Sequence, residues 1–192
     1  MFSQGFLDVF HHTMNYEVGG FWDPEDLDVV AGNISTKIQR TKVGYVNDPL
    51  DRGGETKFGI AQNATKKVVR DMTLEDAMVH YYNNYWLAPN CNLMPPKVAL
   101  LHFDGCVNHG PKQAGKFLQR ALGVEADGAV GARTLDAINS LTDAEIIDVL
   151  ANIADQRAHF YNRIVERNPS QQKFLKGWLK RITEVHQYSV IY

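Results

Sequence analysis

A single glutamate near the N-terminus stands where a proton donor would be useful. In the stretch "NYEVGGF", Glu17 ends an apolar, helix-patterned run, and Gly19 and Gly20 follow after one residue. A carboxyl group in the last turn of a helix faces the negative end of the helix dipole, and burial there also disfavours its ionised form. Both effects would raise the pKa of Glu17, as a general acid requires. The alternative is a solvated glutamate at a frayed helix end.

A second stretch, "VNDPLDRGGETKFGI", brings two more carboxylates. Asp48 and Asp51 flank a proline, and a glycine pair and Thr56 follow. A glycosidase uses two carboxyl groups on opposite sides of the scissile bond, one to donate a proton and one to activate water or stabilise charge. The Thr56 hydroxyl could help to hold that water. The alternative is an ordinary turn capped by side chains, with Asp48 capping "NDP".

The opening helix must position Glu17. Apolar residues recur at every fourth position in Phe2, Phe6, Phe10 and Met14, which predicts an amphipathic helix over residues 3–17. Residues 22–50 are rich in Asp, Gly, Asn and Pro, and they are interpreted as a loop with one or two short strands. "TKFGI" is predicted to form a further strand.

From residue 73 onward the chain is strongly helical. "TLED" and "TDAE" are helix-capping sequences, and "LAPN", "NHG" and "NP" predict helix ends. Predicted helices cover about 73–86, 97–107, 111–123, 133–140, 143–167 and the C-terminal stretch from 170. The expected fold class is therefore mainly α, with a small β element in the N-terminal half.

Composition narrows the class of protein. The chain has 192 residues, 44% of them hydrophobic, and a formal net charge of -2. It has no basic stripe for nucleic acid and no apolar run long enough for stable membrane insertion. The N-terminus does not have the pattern of a signal peptide, so synthesis in a cytoplasm is expected. Cys91 and Cys106 are interpreted as ordinary thiols, with a disulfide between them left open.

The two carboxylate-bearing stretches together resemble a known family. "YEVGGF" and "YVNDPLDRGGETKFGI" are similar to the signature of glycoside hydrolase family 108, the lysozyme-like N-acetylmuramidases of phage endolysins and related bacterial secretion proteins. Val18 separates the glutamate from its glycines, and residues 22–44 form an insertion between the two halves. The resemblance implies a lysozyme-like α+β fold. It also implies three catalytic residues, Glu17, Asp51 and Thr56. Asp48, Gly19 and Gly20 are predicted substrate contacts, since the two glycines leave the approach to the backbone free of side chains.

The second half carries another resemblance. "KFLQRALGVEADGAVGARTLDAI" is similar to peptidoglycan-binding domains, and more narrowly to the predicted peptidoglycan domain that follows the family 108 catalytic region. We therefore expect a catalytic region over 1–95 and a helical peptidoglycan-binding region over 96–192, packed into one lysozyme-like unit. Asn108 and Tyr85 are further candidates for substrate contacts, with core packing as the alternative for Tyr85.

The resemblance implies a lysozyme-type glycoside hydrolase. Its substrate would be the β-1,4 bond between N-acetylmuramic acid and N-acetylglucosamine in peptidoglycan. A monomeric phage endolysin is expected, held in the host cytoplasm until a holin gives it access to periplasmic peptidoglycan. No cofactor or metal is expected, since His102 and Cys106 lack a second ligand pair. A lytic transglycosylase and a non-catalytic peptidoglycan-binding module are the alternatives.

Overall fold

The computed structural model describes residues 2–17, 45 and 55–192. The chain divides into two compact units, residues 1–84 and residues 85–192. We call them unit 1 and unit 2. These units are defined by compactness and do not test the predicted functional division into 1–95 and 96–192, which stays a prediction.

Unit 1 combines helices with a small hairpin. Its described elements are α1 (Gln4–Glu17), β1 (Thr56–Lys57), β2 (Ile60–Ala61), two 3₁₀ turns (Gln62–Ala64 and Val69–Asp71) and α2 (Leu74–Tyr81). The strands pair antiparallel, with Thr56 opposite Ala61 and Lys57 opposite Ile60.

The two described helices of unit 1 follow from local sequence. Phe6, Phe10 and Met14 are fully buried on one face of α1, as the four-residue spacing predicts. Thr73 caps α2, because its side chain accepts from the Asp76 N–H while the Asp76 carboxylate accepts from the Thr73 N–H. The Phe10 and Tyr81 rings meet edge to face at 5.5 Å, which joins α1 to α2.

Unit 2 is built from five α-helices among its described residues. They are α3 (Pro96–His109), α4 (Pro111–Ala121), α5 (Ala132–Asn139), α6 (Asp143–Arg167) and α7 (Gln172–Ile191), with 3₁₀ turns at Cys91–Leu93 and Pro169–Gln171. A π-helical segment, Tyr82–Leu87, follows α2 in the chain. Thr142 and Glu145 form a capping box at the start of α6, as "TDAE" predicts.

Helix α3 lies at the centre of unit 2. Every residue from Val98 to Cys106 is buried, so this helix is enclosed on all sides rather than on one face. It packs against α4, α7 and α6. Gly110 joins α3 to α4 with a φ of +80°, a conformation that favours glycine. Cys91 and Cys106 are free thiols, both buried.

The structure confirms the mainly α fold class and every predicted helix, with ends shifted by a few residues. The prediction that "TKFGI" forms one strand is wrong, because these residues form two short strands and the turn between them. The predicted strands within residues 22–50 lie outside the described residues, except for Tyr45. None of the described helices is long and apolar enough to cross a membrane.

Candidate active site

The site begins with Glu17, the last residue of α1. The buried face of α1 fixes this helix, so the position of Glu17 is set by the core. The residue itself is half-buried. The last turn of α1 contains no basic residue, so no cation of the helix itself offsets the negative end of its dipole.

The β1–β2 hairpin turns at Phe58 and Gly59, and both residues have positive φ values, 51° and 74°. A two-residue hairpin loop with two positive φ angles is a type I′ turn, which normally takes Asn or Gly at its first position. Phe58 is buried, with 1% exposure. A left-handed conformation costs a residue with a Cβ roughly 1–2 kcal/mol, so the packing of Phe58 must hold the turn in place.

The turn lies directly against Glu17. A Cβ placed on Gly59 would lie 2.9 Å from Glu17 Oε2, 3.0 Å from Glu17 Cβ and 2.7 Å from the Tyr81 hydroxyl oxygen. The Tyr81 hydroxyl donates to the Phe58 carbonyl oxygen at 2.9 Å. The carboxyl group of Glu17 and the hydroxyl of Tyr81 therefore meet at the backbone of Gly59, where a larger residue would not fit.

Thr56 belongs to the same hairpin. It opens β1, two residues before Phe58, and is half-buried. The structure therefore places Glu17 against the turn of the hairpin whose first strand begins at Thr56. The catalytic roles of both residues stay predictions. The signal for the hairpin was present in the sequence as "KFGI", but a phenylalanine is an unusual residue for the first turn position.

Arg70 contacts Glu55, the residue that precedes this hairpin. Its guanidinium pairs with the Glu55 carboxylate, and hydrogen bonds to Tyr45 and Glu55 raise the pKa of Arg70. Tyr45 and Glu55 flank residues 46–54 in the sequence. The Lys57 ammonium donates to the Arg70 carbonyl oxygen at 2.9 Å. Burial lowers the pKa of Lys57, and the charges of Asp71 and Asp76 oppose that shift.

The other predicted site residues are placed as follows. Asp48, Asp51, Gly19 and Gly20 lie outside the described residues, so their roles stay predictions. Asn108 is half-buried in α3, and its amide oxygen accepts a hydrogen bond from the Tyr161 hydroxyl.

Tyr85, the remaining candidate, lies in the π-helical segment Tyr82–Leu87. It is half-buried, and its carbonyl oxygen accepts from the Cys91 thiol at 3.4 Å. The substrate contacts predicted for Asn108 and Tyr85 stay predictions.

Unit 2 contains a buried charge network that sequence reasoning missed. Asp104 is 1% exposed and accepts from Arg157 Nη2 at 2.6 Å and from Arg181 Nη2 at 2.7 Å. Arg157 is fully buried, and its Nε donates to His109 Nε2 at 3.1 Å. These residues lie on three different helices, up to 77 positions apart in sequence. No pattern among neighbouring residues in the sequence could have predicted these contacts.

The buried network determines the protonation states of Asp104 and His109. Burial would raise the pKa of Asp104, but the charges of Arg181 and Arg157 outweigh it and lower that pKa to about 2. Burial and the neighbouring Arg157 lower the pKa of His109 to about 3. At neutral pH Asp104 is therefore an anion and His109 a neutral acceptor, and the network links three helices of unit 2.

Comparison with known families assigns both regions of the chain. Residues 35–110 match the family model of glycosyl hydrolase 108, and residues 113–183 match that of a predicted peptidoglycan domain. The first region belongs to glycosyl hydrolase 108. The second is a predicted peptidoglycan domain, so both resemblances found in the sequence are confirmed. The glycosyl hydrolase 108 match begins after Glu17, so the role of Glu17 stays a prediction.

A solved structure supports the fold assignment. The chain is similar to Brucella abortus SagA, with 26% identity, a TM-score of 0.66 and coverage of 82% of this chain and 91% of that one. The fold is thereby lysozyme-like α+β, as expected. No curated protein matches this chain. A glycoside hydrolase acting on peptidoglycan is the activity that the two family assignments support.

Proposed function

We propose that this glycosyl hydrolase 108 protein is an N-acetylmuramidase. It would hydrolyse the β-1,4 bond between N-acetylmuramic acid and N-acetylglucosamine, with Glu17 as the general acid. One observation carries the proposal: the Glu17 carboxyl group lies against the Phe58–Gly59 turn of the hairpin that also bears Thr56. Glu17 is also the last residue of α1, so its carboxyl group lies at the negative end of the helix dipole.

The proposed reaction uses two carboxyl groups. Glu17 protonates the glycosidic oxygen of the leaving sugar, and Asp51 activates water on the opposite face of the ring. Thr56 orients that water through its hydroxyl group. Inversion at the anomeric carbon is expected, which corresponds to carboxyl groups roughly 6.5–9.5 Å apart.

Product analysis separates this proposal from its nearest rival. Purified sacculi would be digested with the protein, and the soluble fragments identified by mass spectrometry. A muramidase adds water and leaves reducing N-acetylmuramic acid ends. A lytic transglycosylase adds no water and leaves 1,6-anhydro ends, which would overturn the proposed chemistry. Sacculi that bind the protein without releasing fragments would instead indicate a non-catalytic binding module.

We further propose that the protein acts as a phage endolysin. The family resemblance supports this setting, in which a monomer waits in the host cytoplasm and a holin admits it to periplasmic peptidoglycan. Expression in a Gram-negative host tests the idea. Cells should remain intact until the inner membrane is permeabilised, and then lyse within minutes. Lysis that begins without permeabilisation would contradict it.

A further inference from the structure

Helix α7 presents two aromatic rings on its outer side. Phe174 is 45% exposed, and the neighbouring Trp178 is half-buried. Their ring centroids lie 5.8 Å apart with an interplanar angle of 30°. The two rings therefore form a shallow surface that faces outward. We call Phe174, Gly177 and Trp178 the aromatic shelf.

Trp178 of the aromatic shelf packs on a buried ring of the core. Trp178 stacks on Tyr161 at 4.6 Å, with 19° between the ring planes. Tyr161 is buried, with 5% exposure, and its hydroxyl donates to Asn108. The packing of α7 on the core involves Trp178 itself, together with Leu175, Leu179 and Ile182, in the apolar cluster around Ala154 and Tyr161. Phe174 is not part of that cluster. Phe174 is therefore not needed to seal the core.

Gly177 lies between the two aromatic residues, in the interior of a 20-residue helix. A glycine in such a place destabilises the helix relative to alanine. Packing does not explain it, because nothing in the described part of the chain lies within 4 Å of the position a Cβ would take. Its φ is also ordinary for a helix, since it is not among the positive-φ glycines of the described chain. The glycine leaves an open approach to the helix backbone beside Trp178.

The charge around the shelf is positive. The Lys173 ammonium lies 4.9 Å from the centroid of the Phe174 ring, and Lys176 and Lys180 are exposed on the same helix. Lys180 is 3.6 Å from Glu184, a long and exposed pair. Peptidoglycan carries carboxylates on its stem peptides and on those lactyl groups that bear no peptide, so its charge is complementary to this surface.

We propose that the aromatic shelf binds the glycan strand of peptidoglycan. The apolar C–H face of a pyranose ring would stack on Phe174 and Trp178, and the missing side chain at Gly177 would let the sugar approach the helix. The lysines would meet the carboxylates. The proposal rests on the proposed function for its substrate class, and it lies within residues 113–183, the predicted peptidoglycan domain.

Co-sedimentation of the full chain with purified sacculi, at 0 °C and with short incubation, tests the shelf. Phe174→Ala should weaken binding about five- to tenfold, the loss of one good aromatic stack. Gly177→Ala should weaken binding while raising the melting temperature by a few degrees, because alanine is the better helix former. Ile191→Ala is the matched control, since Ile191 is 79% exposed on the same helix. Its binding should equal that of the wild type.

The opposite signs expected for Gly177→Ala separate ligand contact from a folding defect. Wild-type binding by both Phe174→Ala and Gly177→Ala would overturn the shelf. A Phe174-dependent loss seen on phosphatidylglycerol vesicles but not on sacculi would also overturn it, in favour of a lipid surface. Clearing of sacculi is measured on the same samples. Phe174-dependent binding without any cleavage would support the shelf and contradict only the proposed hydrolase function.

Discussion

The two units place their carboxyl groups in opposite settings. In unit 2, Asp104 is 1% exposed and held by the guanidinium groups of Arg157 and Arg181. In unit 1, Glu17 is half-buried at the C-terminal end of α1 and lies against the backbone of Gly59. One carboxylate is surrounded by cations, and the other sits at the negative end of a helix.

This difference agrees with a structural role for Asp104 and with the chemical role that we propose for Glu17. A carboxylate with its pKa lowered to about 2 carries no proton to donate at any pH where the enzyme would work. It holds helices together instead. The carboxyl group of Glu17, which we propose as the catalytic acid, lies instead at a helix C-terminus, next to a hairpin turn with a residue in a disfavoured conformation. The burial of a charge alone is therefore a poor guide to function in this protein.

The largest effect is expected from Asp104→Asn. This change removes the anion that pairs two cations, one of them fully buried, and should cost about 3–5 kcal/mol of unfolding free energy. Urea denaturation measures it. Asp136→Asn, at an exposed position of α5 in the same unit, is the control and should change stability by less than about 0.5 kcal/mol. Equal losses of unfolding free energy in the two variants would contradict the stabilising role of Asp104 and, with it, the contrast between the units.

Gly59→Ala tests the contact in unit 1, with Gly123→Ala as its control. Both glycines have positive φ, 74° and 69°, but of these two only Gly59 has described neighbours within 4 Å of the position a Cβ would take. Both variants should share the backbone strain, and Gly59→Ala should lose about 1–3 kcal/mol more through crowding. It should also lose peptidoglycan clearing, because Glu17 must shift. Similar losses and similar clearing in the two variants would contradict the close contact.

A smaller effect is expected on the pH dependence of the unfolding free energy. The folded pKa of His109 is lowered to about 3 from 6.5, so the unfolded chain binds a proton more readily than the folded one. Stability should therefore be full above pH 6.5 and fall towards pH 3, by at most about 1.4 kcal/mol per pH unit. His109→Gln keeps an acceptor for Arg157 and should flatten this slope in urea titrations at pH 7 and pH 4.5. An unchanged slope would place the acid sensitivity elsewhere.

The sequence predicted the elements whose signals are local. Thr73 and Thr142 form the expected capping boxes, and the spacing of Phe6, Phe10 and Met14 indicated the buried face of α1. These features need only neighbours within a turn or two of helix. The catalytic family was also recognisable, because the stretch "YVNDPLDRGGETKFGI" is short and lies within the matched residues 35–110.

Other features depend on long-range packing. The turn at Phe58 opposes the intrinsic preference of its residue, and it is held by Tyr81, 23 positions away. The pairing of Asp104 with Arg157 and Arg181 spans 53 and 77 positions. The sequence placed Gly59 within a predicted strand. In the structure it lies in a turn, and the absence of a side chain leaves room for Glu17. Such features appear only once the helices are packed.

The most direct test of the central claim is the rate at which Glu17→Gln clears purified peptidoglycan. Glutamine keeps the size of the side chain and removes its proton-donating group, so the rate should fall about 10²–10⁴-fold with little change in melting temperature. Glu75→Gln, the same change at an exposed position of α2, should clear at the wild-type rate. Wild-type clearing by Glu17→Gln would remove Glu17 from the chemistry and contradict the account.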